Sequence, residues 1–355
     1  MIGEELVQLL TPEGERNSHP EYESSLTGDD VFGFYRDMVI VRRLCNEATS
    51  LQRQGQLALW APLQGQEAAQ IGAGRALAPS DFTFPSYREH GIAWCRGVPP
   101  KDMLRIFRAV TNGGWDPQKY RHSVPTIVLG NQTLNAVGYA MGVQRDGAEE
   151  AVMTFFGDGA SSQGDVLESF VWAASFNAPV VFILQNNQWA ISEPTSLQAK
   201  IPLYHRAHGF GFPGIRVDGN DVIAMYEVTK RALEHARVGG GPTLIEAYTY
   251  RMGAHTTSDD PTRYRVDAEV EVWKHRDPVE RVKALLAREY HVKNAAFKKV
   301  MAEADVLALQ LRDDVLAMGR PDPITMFDHA YAAPHPLVEE GRREMIEMGI
   351  SGGVR

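Results

Sequence analysis

Apolar residues recur at helical spacing from Asp29 to about Gln54, at Val31, Phe34, Tyr35, Met38, Val39, Val41 and Leu44. That spacing lines one face of an amphipathic helix. Thr27, Asp29 and Asp30 are capping candidates at its start, and Gly55 is a stop. Shorter helical patterns follow at about 65–77, 87–96, 100–111 and 132–144. The period then changes. AVMTFF (151–156) and PVVFILQ (179–185) are short, almost wholly apolar runs, the pattern of strands covered on both faces. A glycine-rich turn and a helix at about 163–176 lie between them. Ile215–Val217 and Thr243–Tyr248 are further strand candidates, separated by a helix at about 221–237. Such repetition predicts an α/β fold, a mostly parallel sheet flanked by helices, with helical segments at about 278–289 and 295–318 making the C-terminal part helical.

On such sheets ligands bind beyond the carboxyl ends of the strands. The segments 157–165, 186–192 and 250–262 fall at that edge, so their chemistry can converge. Residues 1–28 read as an extended arm with room for one short helix, 29–330 as the α/β domain and 331–355 as a tail.

Composition narrows the classes. The chain has 355 residues, 44% hydrophobic and 23% charged, with a net charge of −9. A nucleic-acid surface needs a basic face, whereas Arg263, Arg265, Lys274 and Arg276 alternate with acids and read as solvated or salt-bridged. Two cysteines, Cys45 and Cys95, sit in apolar helical patterns and read as buried free thiols. The opening MIGEELVQLL lacks the basic start and apolar run of a secretory signal. No stretch approaches the roughly 18 apolar residues of a membrane span. A cytoplasmic protein, with no membrane or nucleic-acid partner, is the expectation.

The densest chemistry lies at Gly157-Asp158-Gly159-Ala160, followed by Ser161-Ser162-Gln163-Gly164-Asp165 and, after the next strand, Asn186-Asn187. A diphosphate needs a divalent ion to screen its charge, and magnesium takes hard oxygen ligands, only a few of them from protein. Asp158 offers a carboxylate oxygen, Asn187 an amide oxygen and Trp189 its backbone carbonyl. Gly157 and Gly159 would let the backbone approach phosphates, with the next helix pointing its amino end at them. A GDG triplet alone also marks simple turns. The weight comes from the pair of motifs with a helix and a buried strand between them.

The segment GDGASSQGDVLESFVWAASFNAPVVFILQNNQWAIS resembles the thiamine-diphosphate signature, and specifically the alpha subunits of pyruvate and branched-chain 2-oxo acid dehydrogenases (E1 components). The resemblance extends over about 30–330 and implies the thiamine diphosphate-binding fold in its diphosphate-binding half. It assigns Asp158, Asn187 and the Trp189 carbonyl to Mg²⁺, and Gly159 and Ala160 to the diphosphate. Ser86-Tyr87-Arg88-Glu89-His90-Gly91 is similar to a segment whose tyrosine and arginine contact the diphosphate; Arg88 offers a planar fork of donors and Tyr87 a hydroxyl. Thr126–Gln132 resembles the stretch that cradles the aminopyrimidine ring, through the Ile127 carbonyl and the Leu129 amide. Arg251–Arg265 resembles a loop whose histidine, here His255, lies near the reactive carbon, with Arg251 near the diphosphate. Histidines ordinarily titrate near neutrality, which suits proton handling. Thr256 stands where eukaryotic relatives carry a phosphorylated serine, and His122 is an imperfect stand-in for a substrate-pocket histidine of the family.

What the resemblance implies is oxidative decarboxylation of a 2-oxo acid and transfer of the acyl group to lipoyl groups on an acyltransferase (E2). It also implies an α2β2 heterotetramer, because the glutamate facing the cofactor ring comes from the beta subunit. AHTTSDD resembles branched-chain members, whereas APLQGQEAAQ and DDPTRYR are similar to bacterial pyruvate dehydrogenases; branched-chain acids stand slightly ahead, then pyruvate, then acetoin. The rival readings are a split transketolase and a non-catalytic nucleotide-binding scaffold.

Overall fold

A computed structural model describes residues 6–111 and 113–349. Its strands are β1 (Leu6–Val7), β2 (Phe82–Phe84), β3 (Val152–Gly157), β4 (Val180–Asn186), β5 (Trp189–Ala190), β6 (Glu193–Pro194), β7 (Gly214–Asp218) and β8 (Thr243–Tyr248). Six form one sheet in the order β1-β7-β8-β4-β3-β2, each neighbouring pair parallel. β5 and β6 make a separate antiparallel ribbon. The interior strands read as apolar runs because both faces are covered: all seven residues of β4 are buried.

Side chains alternate between two cores. Met153, Phe155, Val181, Ile183 and Ile245 pack with the helices Gly28–Arg53, Glu67–Arg75, Val222–Arg237, Pro278–Arg288 and Asn294–Leu316. Val152, Phe156, Val180, Phe182 and Leu184 pack on the opposite face with Asn131–Asp146 and Gly164–Phe176. The long first helix carries the expected capping box. Its N-terminal Thr27 hydroxyl accepts from the Asp30 amide at 3.3 Å, and the Asp30 carboxylate accepts from the Thr27 amide at 2.9 Å. Val31, Phe34, Tyr35, Met38, Val41 and Leu44 form its buried face as the spacing predicts.

Several expectations change. Among the described residues 6–27 there is no helix; Leu6–Val7 instead extends the sheet edge beside β7. Two- and three-residue strands such as β1 and β2 are too short for a period to register. The helix expected at 87–96 begins only at His90, which leaves Pro85–Glu89 as an irregular segment leading out of β2. Arg265 is neither solvated nor salt-bridged: it is buried and donates to the carbonyls of Arg251 and Met252. Cys45 is a buried free thiol, whereas Cys95 is free but only partly buried. The tail contains a helix, Pro336–Glu347, with no buried residue. No helix among the described residues is long and apolar enough to cross a membrane.

Candidate functional site

The carboxyl ends of β2, β3, β4 and β8 open onto a cavity of about 330 Å³, within the range of small-molecule and cofactor sites. Gly157–Ala160 reach it from β3, Asn187 and Trp189 from β4, Tyr87–Glu89 from β2, and His255 from the loop after β8. The crossover helix Gly164–Phe176 starts behind a single 3₁₀ turn at Ala160–Ser162, and no side chain caps its amino end.

Asp158 is 2% exposed, and burial raises its carboxyl pKa. Two neutral donors hold it, the Thr195 hydroxyl at 3.1 Å and the Gln198 amide at 3.0 Å. A buried carboxylate with only neutral partners is a place where a cation is favoured. The Asn187 amide oxygen accepts from the Trp189 backbone amide at 3.3 Å, and its nitrogen donates to Gln66 at 3.1 Å. Trp189 reaches the cavity because Gln188 adopts a left-handed φ of 70°, which reverses the chain into the ribbon. No group of three or more His, Cys, Asp or Glu suited to a metal occurs among the described residues. A cation here would therefore be held by one carboxylate, amide and carbonyl oxygens, and an anionic ligand's own oxygens.

The glycine expectation is refined. A Cβ on Gly157 would meet nothing within 4 Å, whereas one on Gly159 would lie 2.6 Å from the Ala190 Cβ. Gly159 is thus required for packing the ribbon against the turn.

Arg88 is 5% exposed and donates to the Pro62 carbonyl at 2.5 Å and the His255 carbonyl at 2.9 Å. Its Nη2 also lies 3.3 Å from the His255 Nδ1, and Arg251 Nη1 lies 3.4 Å from the same atom. Guanidinium groups only donate, so Nδ1 is the acceptor and Nε2 carries the proton. Burial, then Arg88 and Arg251, push the His255 pKa down to about 3, away from the near-neutral value expected of a histidine. Nε2 faces the Tyr87 hydroxyl at 3.5 Å.

Arg251 sits behind the cavity. It is fully buried and donates to the carbonyls of Trp189 at 2.7 Å and Ile191 at 2.8 Å, and to the Tyr264 hydroxyl at 3.0 Å. Tyr264 donates in turn to Asp259, which accepts from the His255 amide at 2.7 Å. Leu129 lines the cavity while Ile127 stands outside it at 57% exposure. Gly130 begins the next helix at φ 85°, where a Cβ would strike Val166 at 2.9 Å. His122 does not reach the cavity: it is buried, 2.7 Å from the Thr83 hydroxyl and stacked on Trp115.

Sequence reading missed Gln66, Glu89, Gln132, Thr195 and Gln198, all of which line the cavity or hold Asp158. Four of these are amides or a hydroxyl, which carry no chemical signature of their own, and Glu89 is a carboxyl marked only by its burial against Ser86 and Gln185. Gln66 Nε2 and Gln132 Oε1 are buried without a hydrogen-bond partner among the described residues. Buried orphans are rare enough to point to an absent partner.

The profile of the family described as "Dehydrogenase E1 component" matches residues 35–307. The 3-methyl-2-oxobutanoate dehydrogenase subunit alpha of Mycobacterium tuberculosis is 43% identical over 342 residues, covering 96% of this chain and 93% of that protein. Pyruvate dehydrogenase E1 component alpha subunits of Acholeplasma laidlawii and Staphylococcus aureus are 37% and 39% identical, over 91% and 79% of this chain and 94% and 76% of theirs. With the parallel sheet and the cavity at its carboxyl edge, these matches establish that the chain belongs to the dehydrogenase E1 component family, among its alpha subunits.

Proposed function

We propose that this chain is the diphosphate-binding half of a 2-oxo acid dehydrogenase, holding thiamine diphosphate through Mg²⁺ and working with a beta subunit in an α2β2 assembly. One observation carries the reading: Asp158 and Asn187, about thirty positions apart, line one cavity together with Arg88 and His255. The residues fit such a group. A buried carboxylate is held by two neutral donors, the donor set is hard oxygen, and two buried amide atoms have no partner among the described residues.

In this reading Asp158, Asn187 and the Trp189 carbonyl hold the metal. Arg88 and Tyr87 donate to the diphosphate, and the backbone at Gly159 and Ala160, opening the uncapped turn and helix, faces it. Leu129 supports the ring portion from the cavity wall. When bound, thiamine diphosphate supplies the electron sink that lets carbon dioxide leave a 2-oxo acid. His255 presents an Nε2–H toward the cavity and stays neutral, so it acts as a hydrogen-bond donor to an oxyanion and not as a standing cation. Arg251 acts as a strut behind the metal-side ribbon, not as a phosphate ligand.

Support for a partner comes from unpartnered apolar surface. Ile127 and Val128 outside the cavity are 57% and 69% exposed, Leu129 on its wall is 48% exposed, and Trp172 and Phe176 are 42% and 50% exposed on the crossover helix. Relatives named as alpha subunits imply a beta counterpart, and a lipoyl-bearing acyltransferase is the proposed acyl acceptor. Branched-chain 2-oxo acids are the proposed substrates ahead of pyruvate, in keeping with the 43% identity to the 3-methyl-2-oxobutanoate enzyme. A cytoplasmic location is part of the proposal, consistent with two unpaired cysteines. A nucleotide-binding scaffold would have no use for Asn187 and His255 beside Asp158.

The test is reconstitution. The chain alone should not decarboxylate 2-oxo acids, and adding its beta subunit should restore turnover, faster on branched-chain acids than on pyruvate. Asp158→Ala and Asn187→Ala should each abolish saturable cofactor binding by calorimetry; unchanged affinity in both would end the cofactor reading.

A further inference from the structure

Gln66 opens the helix Glu67–Arg75, is 0% exposed and lines the cavity. Its Oε1 accepts from the Asn187 Nδ2 at 3.1 Å, while its own Nε2 is buried with no partner among the described residues. The orientation of this amide pair is set from outside it. The Trp189 backbone amide donates to Asn187 at 3.3 Å, which makes that atom the oxygen. The other end of Asn187 is then the NH₂, and Gln66 must turn its oxygen toward it.

The backbone under Gln66 is pinned. Gly65 adopts φ 96°, and a Cβ there would lie 2.2 Å from the Tyr250 carbonyl. The Gly65 carbonyl accepts from the Thr249 hydroxyl at 2.9 Å, and the Gln64 carbonyl accepts from the Met252 amide at 3.1 Å. The segment is therefore docked on the chain leaving β8. A side chain so rigidly placed, with one buried donor left unsatisfied, is poorly explained by packing alone.

We infer that Gln66 is a positioning residue for the metal: it holds the NH₂ end of Asn187 from behind so that the amide oxygen is the end offered to Mg²⁺. The inference rests on the cofactor reading above, and residues behind metal ligands commonly set affinity by about 10–100-fold. Asp158 is held similarly from behind by Thr195 and Gln198. Without Gln66, the NH₂ end of Asn187 loses its acceptor, and the amide is held only by the 3.3 Å contact from the Trp189 backbone amide.

The experiment measures Mn²⁺ binding in the presence of thiamine diphosphate, by the loss of the free-ion paramagnetic resonance signal, on the alpha chain reconstituted with its beta subunit. Gln66→Met, which removes the acceptor at similar volume, should weaken Mn²⁺ binding by about 10-fold or more. Its unfolding midpoint without ligand should fall only slightly, because the orphan Gln66 donor is removed while the Asn187 NH₂ loses its acceptor, so the net change is one lost hydrogen bond. Gln66→Glu retains an acceptor for Asn187 and should keep Mn²⁺ affinity at or above the wild-type level. Wild-type affinity in Gln66→Met, or equal loss in both variants, would overturn the proposal. Asn187→Ala separates the two ideas. If it loses Mn²⁺ binding while Gln66→Met does not, only the positioning role falls; if it binds normally, the metal assignment falls and the positioning role with it.

Discussion

At the scale of single residues, the site is governed by burial acting on charge. Burial first, and then two guanidinium groups, hold His255 neutral down to about pH 3. Its folded pKa is below the unfolded value of about 6.5. The unfolded chain therefore takes up the proton first on acidification. The contribution of His255 to stability is present above about pH 6.5 and is lost as pH falls toward 3. In the cofactor-free protein, its imidazole resonances should not move between pH 7 and pH 4. Adding pyrophosphate, which neutralises Arg88, should raise the titration point; a midpoint near 6.5 in the free protein would refute this reading of the arginine contacts. Asp158 shows the opposite bias, since burial favours its protonated form. Asp158→Asn should leave the ligand-free protein as stable as the wild type or more so in urea unfolding, while abolishing cofactor-dependent stabilisation. Binding residues are commonly kept against the interest of stability.

The elements decide whether those residues meet. β3 and β4 are adjacent and parallel, paired from Val152↔Val180 to Gly157↔Gln185, so the loops after them emerge side by side. The turn after β3 and the β5–β6 ribbon then touch at Gly159 and Ala190. Gly159→Ala would put a methyl group 2.6 Å from another, and the ribbon carrying Trp189 would have to shift. A loss of about 1–3 kcal/mol in denaturant unfolding is expected, with weaker cofactor binding. At the other sheet edge, Asp221 caps Val222–Arg237 through the amides of Ile223 and Ala224 at 3.0 Å, and accepts from Leu9 and Leu10 at 2.7 and 2.6 Å. Asp221→Ala should cost about 2–4 kcal/mol, the sum of a lost cap and two buried unpaired amides. A cost below about 1 kcal/mol would mean that the N-terminal strand is not held there. Helix Gly28–Arg53 and strands β3 and β4 were legible as patterns, because each is long enough to show its period. β1, β2 and the ribbon were not, because two or three residues display none.

For the molecule as a whole, the unpartnered apolar surface is the dominant feature. Val128 beside the cavity and Trp172 on the crossover helix are both well exposed. If they meet the beta subunit, Val128→Asp and Trp172→Glu should each weaken association at least about 10-fold in sedimentation, with the fold of the isolated chain unchanged by circular dichroism. Unaltered association in both would place the partner elsewhere. The N-terminal arm shows how local and global information divide. Its polar composition reads as extended; among the described residues Leu6–Val7 form a strand and the chain then turns at residues 11–15, and that it would pair with β7 and be fixed by Asp221 could not be read from residues more than 200 positions apart.

By itself, the order of residues determined the parallel α/β class, the strands β3, β4, β7 and β8, and the convergence of Asp158, Asn187 and His255 at one sheet edge. Periodicity and strand–helix alternation are local properties that a chain displays before it folds, and strand ends in such an alternation share an edge. Only the tertiary structure decided that Arg251 stands behind the cavity, that His122 is buried away from it, and that His255 is neutral. It also placed Gln66 behind Asn187. Those outcomes depend on which side chains distant in sequence come within hydrogen-bonding range and on how much water the packed protein excludes around them, and neither quantity exists until the chain has folded.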